Sequence, residues 1–262
     1  MTGTSSSAVE TATTWERFQV LWGGTQNILM GGEVFPYSFR FPPLEELLEA
    51  LRRDEKVRIT RGTVGDRLDF TDVSAEFRAR PIEEALRAPY QIAHGSLARL
   101  WGPGQVLEGL DRIVAGWERT LAEHEFTWLR MNPILFYSGP GTQTNYHLDR
   151  SFVLAWQVLG TKRFCWLKDP ERWCPAEVRQ HLEDASRIVR PDGIGPDDEI
   201  RVEMHPGDVL WNVVGTPHWV GAADEPTYSV NIAHWDLRHR GRLSRLGQEV
   251  HDILVARGAY KA

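Results

Sequence analysis

NPILFYSGPGTQTNYHLDRSFVLAWQVLGTK, residues 132–162, sets Tyr146-His147-Leu148-Asp149 between two runs that read as β-strand. Side chains two apart on a strand share a face, so His147 and Asp149 converge while Leu148 turns away. An imidazole and a carboxylate so placed are two thirds of a facial 2-His-1-carboxylate metal centre. That ligand set suits Fe(II) and leaves coordination positions open for chemistry. The third ligand is expected from a later strand, and His218, in the segment Gly215-Thr216-Pro217-His218-Trp219-Val220, is the leading candidate. His205 and His234 are its rivals.

Working outward, Thr144 stands three residues before His147, and Lys162 thirteen after Asp149, in Gly160-Thr161-Lys162-Arg163. Farther on, His205-Pro206-Gly207-Asp208 makes a tight turn into Val209-Leu210-Trp211. The order and spacing of these segments, over roughly residues 128–236, resemble the cupin-like JmjC family of Fe(II)- and 2-oxoglutarate-dependent oxygenases. Within it the likeness is to asparaginyl-hydroxylase-type members.

The resemblance implies a mainly β fold with flanking helices, a double-stranded β-helix or jelly roll carrying N- and C-terminal helices. It implies that His147, Asp149 and His218 bind Fe(II). Lys162 and Thr144 would hold the distal carboxylate of 2-oxoglutarate, because an ammonium pairs well with a carboxylate where water is excluded. Arg163, on the opposite face, is the rival anchor. Asn231 and Tyr137 would add polar groups beside the cosubstrate. The implied reaction consumes O2, converts 2-oxoglutarate to succinate and carbon dioxide, and hydroxylates an unactivated C–H bond. In the family the Pro-Gly-Asp turn after His205 lies away from the metal, and His234 follows the strand expected to carry Asn231. The chain departs from its relatives at Val153, where they have asparagine, and at Ala233, where they have tryptophan.

At 262 residues, with 42% hydrophobic and 25% charged content, the chain has the make-up of a soluble globular protein. Its formal charge of −6 argues against a nucleic-acid partner. Cys165 and Cys174 are too few for a disulfide framework, which points to a reducing compartment. With no apolar leader or membrane-length run, the expectation is a cytoplasmic protein with no membrane partner. Seven of the eleven tryptophans fall between Trp117 and Trp219, which fits a lined cavity.

One oxygenase domain is expected over 1–262. Residues 1–12 are read as disordered, 13–125 as a helix-rich layer, 126–236 as the barrel and 237–262 as a C-terminal helix. Trp15–Met30 suggests a short helix, Phe35–Phe41 a strand, and Leu44–Arg53 an amphipathic helix with Leu44, Leu47, Leu48 and Leu51 as its stripe. Further helices are expected over 81–87, 104–123, 175–185 and 241–257, with a strand over 57–60. The barrel strands are expected over 128–137, 153–159, 163–167, 202–204, 209–214 and 228–233. Leu243, Leu246, Val250, Ile253 and Leu254 give the last helix an apolar side that either caps the barrel or forms a homodimer. Asp69, Asp72 and His94 are read as solvated.

For the substrate, Arg130, Arg150, Trp156 and Trp219 are the residues expected at the pocket, with Trp166 and Trp211 also worth inspection. The absence of a recruiting domain favours a small molecule such as an amino acid or biosynthetic intermediate. Two other readings stand beside it: a peptide or protein side-chain hydroxylase, with an open groove beside His147, and a non-catalytic cupin-fold binding protein.

Overall fold

The computed structural model describes residues 9–61, 71–184 and 187–260. The N-terminal part holds β1 (Glu10–Ala12), α1 (Trp15–Leu21), β2 (Ile28–Met30), α2 (Leu44–Arg53), β3 (Ile59–Arg61), α3 (Ser74–Ala79), α4 (Ile82–Ala85), β4 (Tyr90–His94) and α5 (Leu110–Glu123). Next come β5 (Phe126–Thr127), β6 (Arg130–Ser138), β7 (His147–Leu148), β8 (Phe152–Leu159) and β9 (Lys162–Leu167). An insertion with α6 (Pro170–Trp173) and α7 (Ala176–Arg179) leads to β10 (Glu199–Met204), β11 (Val209–Asn212), β12 (Pro217–Ala222) and β13 (Thr227–Trp235). The chain ends in β14 (Arg238–His239), β15 (Arg242–Leu243) and α8 (Arg245–Ala256).

Eight strands form one sheet in the order β1-β2-β11-β8-β13-β6-β4-β3, and four form another in the order β10-β9-β12-β7. From β6 onward the chain crosses repeatedly between the two, and its neighbours pair antiparallel. The sheets close on each other: Ala155 and Leu210 of the large sheet pack with Phe164, Trp166, Ile200 and Met204 of the small one. This is the expected jelly roll.

The outer face of the large sheet carries the main core. Trp156 meets Phe35 and Phe41, Trp211 meets Phe18, and Trp117 of α5 stacks on Trp15. Much of the tryptophan content therefore glues the helical layer to the barrel. In α2 all four stripe leucines are buried, with Glu45 and Glu46 at the positive end of the helix dipole and Arg52 and Arg53 at the negative end.

Several elements depart from expectation. Glu10–Ala12, read as disordered, pairs parallel with β2, which in turn pairs with β11; residues 1–8 lie outside the described residues. Phe35–Phe41 is no strand; Pro36 has no N–H to give a ladder, and the segment serves as aromatic packing. The helix expected from residue 104 starts at Leu110, after a left-handed Gly109. The helix expected over 175–185 stops at Arg179, whose buried guanidinium bonds Glu249 of α8 at 2.7 Å and Glu171 at 3.1 Å. Leu246, Val250 and Leu254 of α8 are buried within the chain itself. Asp72 is exposed and accepts from Ser74 N–H at 2.8 Å. His94, read as solvated, is buried with its Nε2 3.2 Å from Asp54, because a partner forty residues away covers it. Asp69 lies outside the described residues.

Candidate metal centre and its cavity

The segment that delivers the first two ligands depends on a glycine. A Cβ on Gly139 would lie 2.1 Å from the Ala88 carbonyl oxygen, so no other residue lets the chain leave β6 along this path. The chain then runs beside β12. Thr144 N–H donates to the Val220 carbonyl at 2.7 Å, and Val220 N–H donates to Thr144 Oγ1 at 2.9 Å. β7 continues this pairing, and His147 and His218 stand directly opposite each other.

The two imidazole centroids are 4.2 Å apart. Asp149 closes the triangle, 3.9 Å from His147 Nε2 and 3.5 Å from His218 Nε2. One ligand atom from each of the three lies within 4.8 Å of the others, so a single metal ion could take all three. Each histidine has its Nδ1 beside a backbone carbonyl, Asn145 at 2.8 Å and Thr216 at 3.1 Å. A carbonyl only accepts, so Nδ1 carries the proton and Nε2 offers its lone pair. Burial, helped by the nearby His147, pushes the His218 pKa down to about 4, which keeps its ring neutral near pH 7. Asn212 Nδ2 donates to Asp149 Oδ2 at 2.8 Å and so orients the carboxylate.

Strand alternation sorts the remaining residues. Ser229, Asn231, Ala233 and Trp235 share the inner face of β13, opposite Phe136, Ile134, Asn132 and Arg130 on β6. Val153, Ala155 and Gln157 continue this face on β8. Lys162 reaches in from β9 and donates from Nζ to Ser229 Oγ at 3.0 Å. The Gly160 turn sets this reach: its φ is +66°, and a Cβ there would sit 2.7 Å from the Pro226 oxygen. Lys162 is 4% exposed, and burial alone pulls its pKa down to about 7. Among the described residues it has no carboxylate partner. Asn231 Oδ1 is likewise buried without a hydrogen-bond partner.

The deep lysine and the metal triad lie at different levels between the two sheets. His218 pairs with Trp166 and Ala222 with Lys162, so four residues of β12, about 13 Å of strand, separate them. Thr144 lies against Val220, between the two levels.

Three nominated residues fall elsewhere. Tyr137 pairs with Tyr228 on the outer face, and its hydroxyl donates to the Leu86 carbonyl at 3.5 Å. Trp156 is one residue out of step with the inner Ala155 and Gln157, and packs on Phe35. Trp219 follows His218 directly and so points out of the small sheet, where Arg190 lies over its ring at 4.4 Å. Trp211 packs outside, whereas Trp166 packs between the sheets.

The rival ligands are also placed. His234 faces the outer core, where its Nε2 accepts from Trp117 Nε1 at 2.7 Å, and its Nδ1 lies 3.3 Å from the Phe152 carbonyl. His205 is exposed in its turn, and Arg163 pairs outside with Glu203 at 3.3 Å. Arg130 and Arg150 do meet, over the ring of Trp235 at 4.1 and 5.6 Å. Trp235 and Asn212 escaped sequence reading. Trp235 had a signal in its even spacing from Asn231, and Asn212 in its place at the end of a strand beside the Asp149 loop.

No family model and no curated protein matches the sequence. Solved structures match in fold. YcfD, a ribosomal oxygenase from Escherichia coli, in complex with cobalt and succinic acid, gives a TM-score of 0.54 at 16% identity, covering 85% of this chain and 52% of that one. YcfD in complex with cobalt and 2-oxoglutarate gives 0.54 at 16% identity, covering 97% and 60%. A further YcfD structure gives 0.54 at 15% identity, covering 97% and 59%. The likeness is one of fold, the cupin-like JmjC jelly roll, and this chain spans between about half and three fifths of the matched chains' length. Among the described residues, no helix is long and apolar enough to cross a membrane.

Proposed function

We propose that this chain is an Fe(II)- and 2-oxoglutarate-dependent oxygenase that acts as one domain and hydroxylates a side chain of a peptide or protein. The observation that carries the reading is Lys162: a buried ammonium without a carboxylate partner among the described residues, between the same two sheets as the His147, Asp149 and His218 cluster. A lone buried cation is costly unless an anion joins it. A five-carbon dicarboxylate chelating a metal at one end and meeting Lys162 at the other fits that need. The unpartnered Asn231 oxygen offers a further polar contact along the way.

In this reading His147, Asp149 and His218 hold the iron, through two neutral nitrogens and one carboxylate oxygen. When bound, iron with 2-oxoglutarate and O2 supplies the oxidising power for C–H hydroxylation. The chain's own part is to position and to exclude water. Lys162 and Thr144 fix the cosubstrate, Asn212 orients Asp149, and the apolar packing of Phe164 and Trp166 keeps the inner end dry. Among substrates, the fold shared with a ribosomal oxygenase supports a protein side chain over the small molecule expected from the sequence. The Thr144 and Lys162 spacing agrees with asparaginyl-hydroxylase-type relatives, whereas Val153 and Ala233 leave the substrate side of the pocket this chain's own.

An anaerobic Fe(II) titration with 2-oxoglutarate tests the reading through the visible charge-transfer band of the chelate. The band is expected in the parent, absent in His147→Ala, and to need far more 2-oxoglutarate in Lys162→Ala. Bound iron without any band would overturn the cosubstrate assignment. No bound iron would favour a binding protein built on the same barrel.

A further inference from the structure

At the outer end of the inner row of β13 and β6 stands a cation–aromatic pair outside the candidate metal cluster and apart from Lys162. Arg130 opens β6 and pairs across strands with Trp235, the last residue of β13, which places the guanidinium carbon over the indole ring, 4.1 Å from its centroid. Arg150, next to the candidate ligand Asp149, brings a second guanidinium to within 5.6 Å of the same ring. The two arginines differ in what else they hold. Arg150 is bonded to Glu183 at 2.9 Å, whereas Arg130 has no carboxylate partner among the described residues. Trp235 Nε1 is buried and has no hydrogen-bond partner among them either. A free planar fork and an idle N–H donor therefore lie on one aromatic platform, on the inner row that leads past Ala233 and Asn231 to Lys162. The row between them carries small residues, Ala233 on β13 and Ala155 on β8.

We infer that Arg130 and Trp235 form a substrate anchor for a carboxylate, and that the side chain presented to the metal belongs to, or adjoins, an acidic residue. The inference rests on the oxygenase reading only for the word substrate; the anchor itself is a property of this pair. Arg130 receives the carboxylate as a two-point donor, Trp235 holds the guanidinium flat and adds its N–H, and Arg150 contributes field while tethered to Glu183. Lys162 at one end and Arg130 at the other make this inner row cationic at both ends.

Isothermal titration of the full chain, with 2-oxoglutarate filling the inner end, tests the anchor with three probes. They are the blocked pentapeptide Gly-Ala-Glu-Ala-Gly, its glutamine counterpart, and N-acetylalanine, whose single charge is a terminal carboxylate. The glutamate peptide is expected to bind at least tenfold more tightly than the glutamine peptide. Arg130→Gln, a change at an exposed side chain, is expected to erase that difference, and Trp235→Phe to reduce it while preserving the fold. His147→Ala is expected to leave it intact, so the anchor can stand even if the iron titration fails. Tighter binding of N-acetylalanine than of the glutamate peptide would keep the anchor and move the source of the carboxylate to a small molecule. Equal binding of the two peptides, or a preference untouched by Arg130→Gln, would overturn the inference even where the charge-transfer band forms.

Discussion

The Lys162 ammonium and the Ser229 hydroxyl meet 3.0 Å apart between the two sheets, and neither brings a negative charge to the contact. Burial draws the lysine pKa from 10.5 down to about 7. Between about pH 7 and 10.5 the unfolded chain holds a proton that the folded chain lacks, so stability rises with pH across that window. Below pH 7 both states hold it, and the whole burial penalty is present. Lys162→Met is therefore expected to stabilise the ligand-free protein by about 1–4 kcal/mol at pH 6.5, with a gain that shrinks toward pH 10. Urea unfolding at both pH values checks this, and a gain that grew with pH would contradict it.

The same lysine sets the pH dependence of cosubstrate binding. An anion beside Lys162 favours the charged ammonium, so binding takes up a proton wherever the free protein has lost one. Affinity for 2-oxoglutarate is expected to be flat below about pH 7 and to weaken above it. Lys162→Met should bind at least roughly 100-fold more weakly, without that pH trend. Calorimetric titration in two buffers of different ionisation enthalpy reads both the affinity and the proton uptake.

Asn212 touches the candidate metal ligand Asp149 but offers no ligand of its own in the cluster. Asn212→Ala is expected to weaken divalent metal binding by about 10–100-fold while leaving one site per chain. Competition of Co(II) against a chromophoric chelator measures it. Unchanged affinity would mean that Asp149 needs no orienting partner.

His218 and His234 are both buried histidines with pKa values pushed down by burial, yet they face opposite sides of the barrel wall. His234→Ala is expected to cost roughly 2–4 kcal/mol of stability, through a cavity and an orphaned Trp117 N–H, with metal stoichiometry unchanged. His218→Ala should abolish metal binding. Reversal of these two phenotypes would move the metal to the other side of the large sheet.

The apolar side of α8 is filled by its own chain. Val250→Asp should therefore lower the melting temperature by the same amount at every protein concentration. A shift that depends on concentration would mean that the helix also serves a contact between copies.

Period-two alternation made His147 and Asp149 legible, because local spacing decides which side chains share a face, whereas Lys162 was implied by the family resemblance. The same rule disqualifies Trp219, which follows the inward His218. Trp156 and Tyr137 needed more than spacing: which face of β8 or β6 looks inward depends on register with β13, a long-range fact. His94 defeated local reading for a similar reason, since Asp54 covers it from the far end of α2. The barrel strands were readable from their short apolar runs, whereas Glu10–Ala12 looked featureless because three residues become a strand only when β2 is there to pair with them.

That small pairing has a consequence for handling the protein. β1 covers the far edge of β2, whose Ile28, Leu29 and Met30 would otherwise present bare backbone donors and acceptors on an apolar strand that borders β11. Uncovered strands of this kind recruit copies of themselves. Trimming the chain past Ala12, as a shortened expression clone would, should thus show first as oligomers and precipitate, before any change in the chemistry of the barrel is seen.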